Sequence, residues 1–395
     1  MATILVVPLM NCLAKIPLYV LLIGMFFAAY KGLAMFFVAT ITIIVALAVA
    51  KILNLTVLAK RESAPFVMEL PTYHLPTIQG VLRRCLERTW LFLKKIITVV
   101  IIVAAIMYVL IAFPGLSKEK EAYYNHRADQ AKEKFMAGIG RDNPYAKLIV
   151  GPKLVEFMRY WDRYNKEKRF AHGKKEKEVL NHKFAQENPL FFKVVNRGKD
   201  IKGHKDPHAK KVYRAYRVLD RERKKLKMTR REEIIRTSYL GQAGRSIEGL
   251  TKFAGFNWRV NIALLSSFAA KENSVATLGG IYQSPPGEKE ASLGKRMKKK
   301  EKGWTPLHAL AIMLFMAMYP PCIPTLLMVQ LEAGTRWMLF ATFYPILLGL
   351  IFAVLVFTGG SLLGLSGLQA MIAFYVLAIA VTVVMGLIKR APKLT

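Results

Sequence analysis

The chain alternates between long apolar blocks and short, mostly basic connections. Four stretches carry no charged residue: residues 1–14, 33–50, 96–117 and 337–388. A bilayer core is about 30 Å thick, so a helix of about 20 apolar residues crosses it. Blocks this long are too uniformly apolar to form one face of a soluble helix. The pattern predicts an all-α polytopic membrane protein with about five to seven membrane helices, including broken or re-entrant segments.

Prolines and polar residues interrupt two of the apolar segments. These segments, residues 1–29 and 305–331, are predicted to form broken helices. Residues 77–95 alternate apolar and basic positions and are predicted to form an amphipathic helix at the membrane interface. The remaining predicted spans are residues 33–55, 96–115, 260–282, 337–357 and 365–388.

Residues 116–238 differ in kind from both flanks. They hold 34 lysines and arginines against 17 aspartates and glutamates, with no window long enough to span. Aromatic residues are frequent, so a small accessory domain, a helical hairpin and a solvated linker are all compatible with the composition. We therefore divide the chain into residues 1–115, a basic extramembrane insertion at 116–238, and residues 239–395.

The net charge of +33 does not indicate a nucleic-acid partner. Outside the insertion, the basic residues cluster in short flanks at 60–61, 83–95, 295–302 and 389–393, which is typical of positive-inside topology and of phospholipid contact. The sequence contains no G-x-x-x-x-G-K-[ST] motif, no catalytic triad and no His-rich centre. We expect a non-enzymatic protein of the lipid bilayer, without catalytic or nucleotide-binding residues.

Each of the two interrupted segments combines a cysteine with prolines. The cysteines are Cys12 and Cys322, and the prolines are Pro17, Pro320, Pro321 and Pro324. A proline removes a backbone donor and frees a carbonyl one turn earlier, which is tolerated at membrane depth only against protein or a water-filled path. Thiolates with freed carbonyls suit a borderline soft divalent cation. The alternative is that the prolines kink helices and the cysteines are ordinary small buried residues.

Three ionisable residues are further candidates for a transport path. Lys271 and Glu272 lie in the apolar stretch 260–282, where charged side chains face the protein interior and pair. They are either a gate element or a structural ion pair near the interface. Glu69 is a weaker candidate, because the chain there is close to leaving the membrane.

Four ordered motifs resemble ferrous iron transport protein B (FeoB). Residues 7–19, VPLMNCLAKIPLY, resemble the family's gate signature PFMSCSARLPVY, and residues 65–73, PFVMELPTY, resemble PFVMELPPY. FAAKE with a following TL at 268–278 and YPPC at 319–322 resemble the corresponding parts of the second gate. Asn11 and Lys15 depart from the Ser and Arg that are usual in the family.

The resemblance implies the C-terminal membrane portion of an Fe²⁺ transporter, with a partial first gate in 1–115 and the second gate in 239–395. Fe²⁺ would be the transported substrate, with no permanently bound cofactor. Cys12, Cys322, Asn11, Lys271, Glu272 and Glu69 would line the path. The family's N-terminal G domain and the start of its first gate are not found in these residues, so we expect either one piece of a split transporter or a truncated remnant.

The resemblance also implies partners and a location. A GTP-binding polypeptide would act in trans, a small FeoA-like protein would assist, and the chain would form an oligomer in the bacterial cytoplasmic membrane. Two other functions stay open: a nucleoside-type solute transporter, and a non-transporting scaffold whose basic insertion binds anionic lipid or an acidic protein.

Overall fold

The computed structural model describes residues 2–58, 77–140, 143–146, 149, 151–171, 173–282 and 292–387. They fall into two compact units. The membrane unit is drawn from Met1–Gly115, Ile234–Gln283 and Glu290–Thr395, and the inserted unit from Leu116–Glu233. Every regular element of the described residues is helical, apart from one isolated bridge between Lys199 and Lys205.

The first part of the membrane unit begins with a helix in pieces, as the prolines predict. Helices α1 (Ala2–Val6) and α2 (Ile16–Phe26) are separated by two 3₁₀ turns and an extended stretch around Met10 and Cys12. Helix α3 (Lys31–Leu55) is the predicted uninterrupted span. Helix α4 (Ile78–Ala112) joins the amphipathic segment and the following span in one helix about 52 Å long.

The inserted unit is a helical domain with an aromatic core. Its helices are α5 (Lys118–Ile139), α6 (Pro152–Phe170), α7 (Lys174–Glu187), α8 (Pro189–Val195) and α9 (Pro207–Thr237). The ring centroids of Phe157 and Tyr216 lie 4.7 Å apart in an edge-to-face arrangement. Of the three alternatives for this segment, the structure has the small domain.

Polar contacts close one end of this domain. Burial disfavours the charged form of Asp206, but hydrogen bonds from the Tyr145 hydroxyl and from the amides of Ala209 and His208 outweigh it and lower the pKa of the carboxyl group. Burial and the bond to Asp206 in turn raise the pKa of Tyr145. The carboxylate therefore ties α9 to the chain around Tyr145.

The second part of the membrane unit contains two of the four membrane-capable segments in the described part of the chain. It runs through α10 (Tyr239–Ser246), α11 (Glu248–Thr251), α12 (Trp258–Ser267), α13 (Asn273–Ile281), α14 (Leu293–Lys300), α15 (Pro306–Ala317), α16 (Ile323–Ala333), α17 (Thr335–Val354), α18 (Gly360–Leu362) and α19 (Gly367–Leu387). A π-helical turn, Leu355–Gly359, connects α17 to α18. The predicted break between α15 and α16 is present.

One predicted span is wrong as a continuous helix. Residues 260–282 form α12 and α13, separated by a non-helical stretch at 268–272 that holds Lys271 and Glu272. The hydroxyls of Ser266 and Ser267 bond back to the carbonyls of Ala263 and Leu264, which competes with helix continuation. No proline marks this break, so the apolar pattern alone did not reveal it.

Four segments of the described residues are long and apolar enough to cross a membrane: Ala2–Phe26, Ala28–Leu55, Thr335–Leu362 and Gly367–Leu387. The first of these is interrupted, as described above. Helix α15 lies at the centre of the unit, with every residue from Ala309 to Tyr319 buried. Gly367 permits a close approach here, because a Cβ atom at this position would lie 2.4 Å from Pro306.

Candidate functional site

Three helix interruptions of the membrane unit border one cavity of about 650 Å³. It is lined by Val7, Pro8, Met10, Asn11, Cys12, Ala14, Ala269, Ala270, Lys271, Glu272, Pro321, Cys322, Pro324 and Thr325. The lining comes from the break before α2, the break between α12 and α13, and the break between α15 and α16. Segments far apart in sequence thus converge on one site.

The break after α15 follows directly from its prolines. In a continued helix, residues 320 and 321 would donate to the carbonyls of Met316 and Ala317, but both are prolines and have no N–H. The Tyr319 amide donates to the Met316 oxygen instead, at 3.2 Å. The Ala317 oxygen accepts a hydrogen bond from the Lys15 ammonium at 2.7 Å. The Lys15 side chain of the first interrupted segment therefore donates to a carbonyl oxygen that the prolines of the second leave without a backbone donor.

Asn11 fixes the first interruption to α3. Its amide donates to the Val38 oxygen at 2.7 Å and lies 3.3 Å from the Thr42 hydroxyl, while its own oxygen accepts from Tyr19 at 3.0 Å. The Asn11 side chain thus borders the cavity with its polar atoms already engaged. This explains how a non-helical stretch persists inside an apolar unit.

The two cysteines are free thiols on the same cavity. Cys12 is exposed to it, and Cys322 is half-buried with its sulfur 3.2 Å from the Thr325 hydroxyl. Within the described ranges no cluster of three or more His, Cys, Asp or Glu side chains is placed to hold a metal ion. The lining offers scattered soft and hard ligands, which suits passing contact with a cation better than permanent retention.

Two lysines lie side by side at the inner wall. Lys271 lines the cavity and is only 6% exposed, and Lys15, behind it, is fully buried. The two lysine side chains are close neighbours, and Lys271 shares the cavity with Cys12, Cys322 and Glu272. Charged groups at membrane depth are costly, so such a cluster is typical of a functional site.

The remaining predicted site residues fall in different places. Pro17 occupies the first turn of α2 and Pro324 the first turn of α16, where a missing N–H costs nothing. Glu69 lies outside the described residues. Lys15 was not among the predicted path residues, although a lone lysine in an apolar run and its place in the gate signature were signals for it.

Comparison with known proteins supports one family along the chain. The family model "Ferrous iron transport protein B C terminus" matches residues 35–88, and the gate model described as "Nucleoside recognition" matches residues 217–336. The second match includes Lys271, Glu272 and Cys322. No solved structure matches significantly.

Several curated proteins align over nearly the whole chain. A protein of Porphyromonas gingivalis named "Fe(2+) transport protein A/Fe(2+) transporter FeoB fusion protein" is 26% identical over 92% of this chain, and an "Fe(2+) transporter FeoB" of Methanocaldococcus jannaschii is 23% identical over 91%. A FeoB of Leptospira biflexa is 37% identical over 33%. The chain spans 34%, 37% and 20% of these three proteins, respectively.

The fold and the cavity define an all-α polytopic membrane protein built around interrupted helices. The motifs, the two matched domains and the extent of the alignments identify the family. The chain belongs to the FeoB family of ferrous iron transport proteins and corresponds to its C-terminal membrane portion.

Proposed function

We propose that this chain forms the membrane permease portion of an Fe²⁺ uptake transporter in the bacterial cytoplasmic membrane. The observation that carries the proposal is the shared cavity, which brings together Cys12, Cys322, Lys271 and Glu272 from three interrupted helices. Interrupted helices from two parts of a transporter mark substrate sites in many membrane folds. The two thiols and the carboxylate that line the cavity form a ligand set that suits Fe²⁺. The names of the relatives support the same substrate.

Regulation by GTP is part of the proposal. These 395 residues contain no G-x-x-x-x-G-K-[ST] motif, so the nucleotide would be bound by a G-domain polypeptide outside them. The fused FeoA and FeoB of the P. gingivalis relative support a small FeoA-like partner here as well. The family resemblance also supports an oligomeric permease.

The test is anaerobic Fe²⁺ uptake in cells that lack their own ferrous transporters. The chain is expressed with and without the G-domain polypeptide from the same genome, and we expect uptake only when both are present. No uptake in either case, with the chain inserted at normal abundance, would contradict the permease proposal. An excess of nucleoside distinguishes the solute-transporter alternative, because a nucleoside carrier would be competed and an iron permease would not.

The cysteines provide the residue-level test of the same proposal. We expect Cys322→Ser and Cys12→Ser each to lower uptake at least ten-fold at equal membrane abundance. Cys85→Ser is the matched control, because Cys85 is exposed on α4 and does not line the cavity. Equal uptake by all three variants would remove the thiols from the path.

A second candidate function, binding of anionic phospholipid by the inserted unit, is favoured by one surface of α9. Five exposed basic residues share this face: Lys210, Arg214, Arg217, Arg221 and Lys225. They extend over about 22 Å, opposite the buried face of the helix. Among the described residues none of the five lies within 4 Å of a carboxylate, whereas Arg223 nearby is paired with Asp162.

A row of unpaired cations attracts a negatively charged surface, and each adds about 1 kcal/mol to binding of an anionic membrane. Deleting residues 116–233 separates this function from permeation. A permease is expected to retain part of its uptake after the deletion, whereas a scaffold that acts through the insertion would lose its activity entirely. Replacing the five basic residues by glutamine, with the unit otherwise intact, should abolish the salt-sensitive binding of short-chain phosphatidylserine to the chain in neutral detergent.

A further inference from the structure

The Lys15 ammonium lies at the C-terminal end of α15, against the Ala317 oxygen. The last carbonyls of a helix carry its partial negative charge, and Pro321 leaves the Ala317 oxygen without its usual donor. A freed carbonyl at a helix C-terminus is the kind of group that coordinates ions in transporters with discontinuous helices. In this structure its partner, at 2.7 Å, is a cation that belongs to the chain itself.

The surroundings of Lys15 are unfavourable for a merely structural hydrogen bond. Lys15 is completely buried, and the Lys271 side chain is its close neighbour, so a positive charge on Lys15 is costly at this position. A neutral donor would hold the Ala317 oxygen without this cost. The cavity also supplies another partner for a displaced ammonium, because Glu272 lines it beside Lys271.

We propose that Lys15 is a tethered cation that fills an ion position at the Ala317 oxygen in the resting permease, and that a divalent cation passes only by displacing it. This inference rests on the proposed Fe²⁺ permeation. Displacement makes Lys15 a residue that determines specificity. At equal distance a divalent ion gains twice the Coulomb energy of a monovalent ion from the same carbonyls, which favours the divalent ion as a competitor of the ammonium where the site replaces its hydration shell.

The apparent affinity for the ion is then reduced by the fraction of molecules in which Lys15 still occupies the site. Neutralising the side chain removes the competitor. We expect Lys15→Met, reconstituted in proteoliposomes with the G-domain polypeptide, to show an apparent KM for Fe²⁺ at least ten-fold lower than wild type. Its Vmax should also fall, because the ion is no longer expelled by a returning ammonium. Uptake of Na⁺ should appear, and Lys15→Arg should retain wild-type values.

Lys15→Gln separates charge from hydrogen bonding, because its amide can donate to the Ala317 oxygen without carrying a charge. We expect it to resemble Lys15→Met, and it decides the question if the methionine variant does not fold. Wild-type KM and no Na⁺ uptake in the glutamine variant would overturn the proposal in favour of a structural bond. Lys51→Met is the matched control, since Lys51 lies on α3 and does not line the cavity.

A binding measurement tests the role of Lys15 even if the permease proposal fails. If wild type moves no Fe²⁺ under any condition, equilibrium dialysis of the full chain in detergent with Fe²⁺ under anaerobic conditions decides the role of Lys15. At least ten-fold tighter binding by Lys15→Gln than by wild type would support the tethered cation. Equal binding by the two proteins would contradict it.

Discussion

The Tyr319 hydroxyl donates a hydrogen bond to the Leu264 main-chain oxygen at 2.6 Å. This bond links the interruption after α15 to the interruption after α12. Both side chains are buried. Two interrupted helices that the sequence separates by 55 residues are therefore held in register by one side chain. The cavity depends on this register, because Cys322 follows Tyr319 by three residues and Lys271 follows Leu264 by seven.

Removal of this hydroxyl should loosen the cavity. We expect Tyr319→Phe to lower the free energy of unfolding by about 1 kcal/mol, the usual net value of one buried hydrogen bond. We also expect it to reduce Fe²⁺ uptake several-fold. Thermal unfolding in detergent and uptake in cells are the two measurements. Tyr239→Phe, at an exposed position, should change neither, and a Tyr319→Phe variant indistinguishable from it would contradict the proposed register.

Restoring a backbone donor at position 321 should straighten the second interruption. In Pro321→Ala the new N–H can donate to the Ala317 oxygen, which extends α15 and removes the acceptor of Lys15. We expect Fe²⁺ uptake to fall at least ten-fold, and the free energy of unfolding to fall as well, because the buried Lys15 ammonium loses its acceptor.

Pro345→Ala is the matched control for this substitution. Pro345 lies inside α17, is buried and does not line the cavity, so its replacement should leave uptake within two-fold of wild type. Equal loss of uptake in both variants would show that helix continuity in general, and not the carbonyl of Ala317, is what matters.

Both cavity thiols should be blocked by a soft cation. Cd²⁺ binds thiolates more strongly than harder divalent ions do, so we expect micromolar Cd²⁺ to inhibit Fe²⁺ uptake by wild type and to slow labelling of Cys12 and Cys322 by a water-soluble maleimide. The Cys12→Ser, Cys322→Ser double variant should be at least ten-fold less sensitive. Labelling of Cys85, which lies away from the cavity, should not respond to Cd²⁺; if it did, protection would not report occupancy of the cavity.

The inserted unit should become less stable in acid through Asp206. The folded state lowers the pKa of this carboxyl group below the unfolded value of about 3.9, so its contribution is present above that value and is lost as the pH falls through the folded pKa. We expect Asp206→Asn to destabilise the unit by about 1 kcal/mol at pH 7. The difference from wild type should shrink below about pH 4.

Urea unfolding, followed by the fluorescence of Trp161 in the core of the inserted unit, measures this difference at each pH. Glu178→Gln is the control at an exposed carboxylate and should have no effect at either pH. A difference between wild type and Asp206→Asn that stays constant down to pH 3 would exclude the charged form of Asp206 as the stabilising species.

Much of the architecture follows from local sequence. Charge-free blocks predicted α3, α17 and α19, and the prolines predicted both the broken start of the chain and the break after α15, because each removes a specific backbone donor. The cysteines beside those prolines proved to border the same cavity. Periodicity and proline chemistry act within one turn, so a sequence reading detects them.

The third interruption and the role of Lys15 depend on contacts between distant segments. Besides the local Ser267 hydroxyl, the Leu264 oxygen at the end of α12 accepts a hydrogen bond from the distant Tyr319 hydroxyl. Lys15 is buried because Pro321 leaves it an acceptor, the Ala317 oxygen, 302 residues away. Neither contact has a local signature. A lysine in an apolar run indicates a buried charge, but the acceptor that makes burial tolerable is known only from the fold.

The base of the insertion closes on itself within the membrane unit. The Tyr239 amide donates to the Phe113 oxygen at 2.9 Å, and the Thr237 hydroxyl donates to the Gly115 oxygen at 2.9 Å. The chain therefore leaves α4 and returns to α10 at the same place, and the inserted residues form a loop between these two helices. Closing a flexible loop of about 120 residues instead of about 10 costs only about 2 kcal/mol more. The membrane unit can therefore carry a domain of this size at this point at little cost in the free energy of folding.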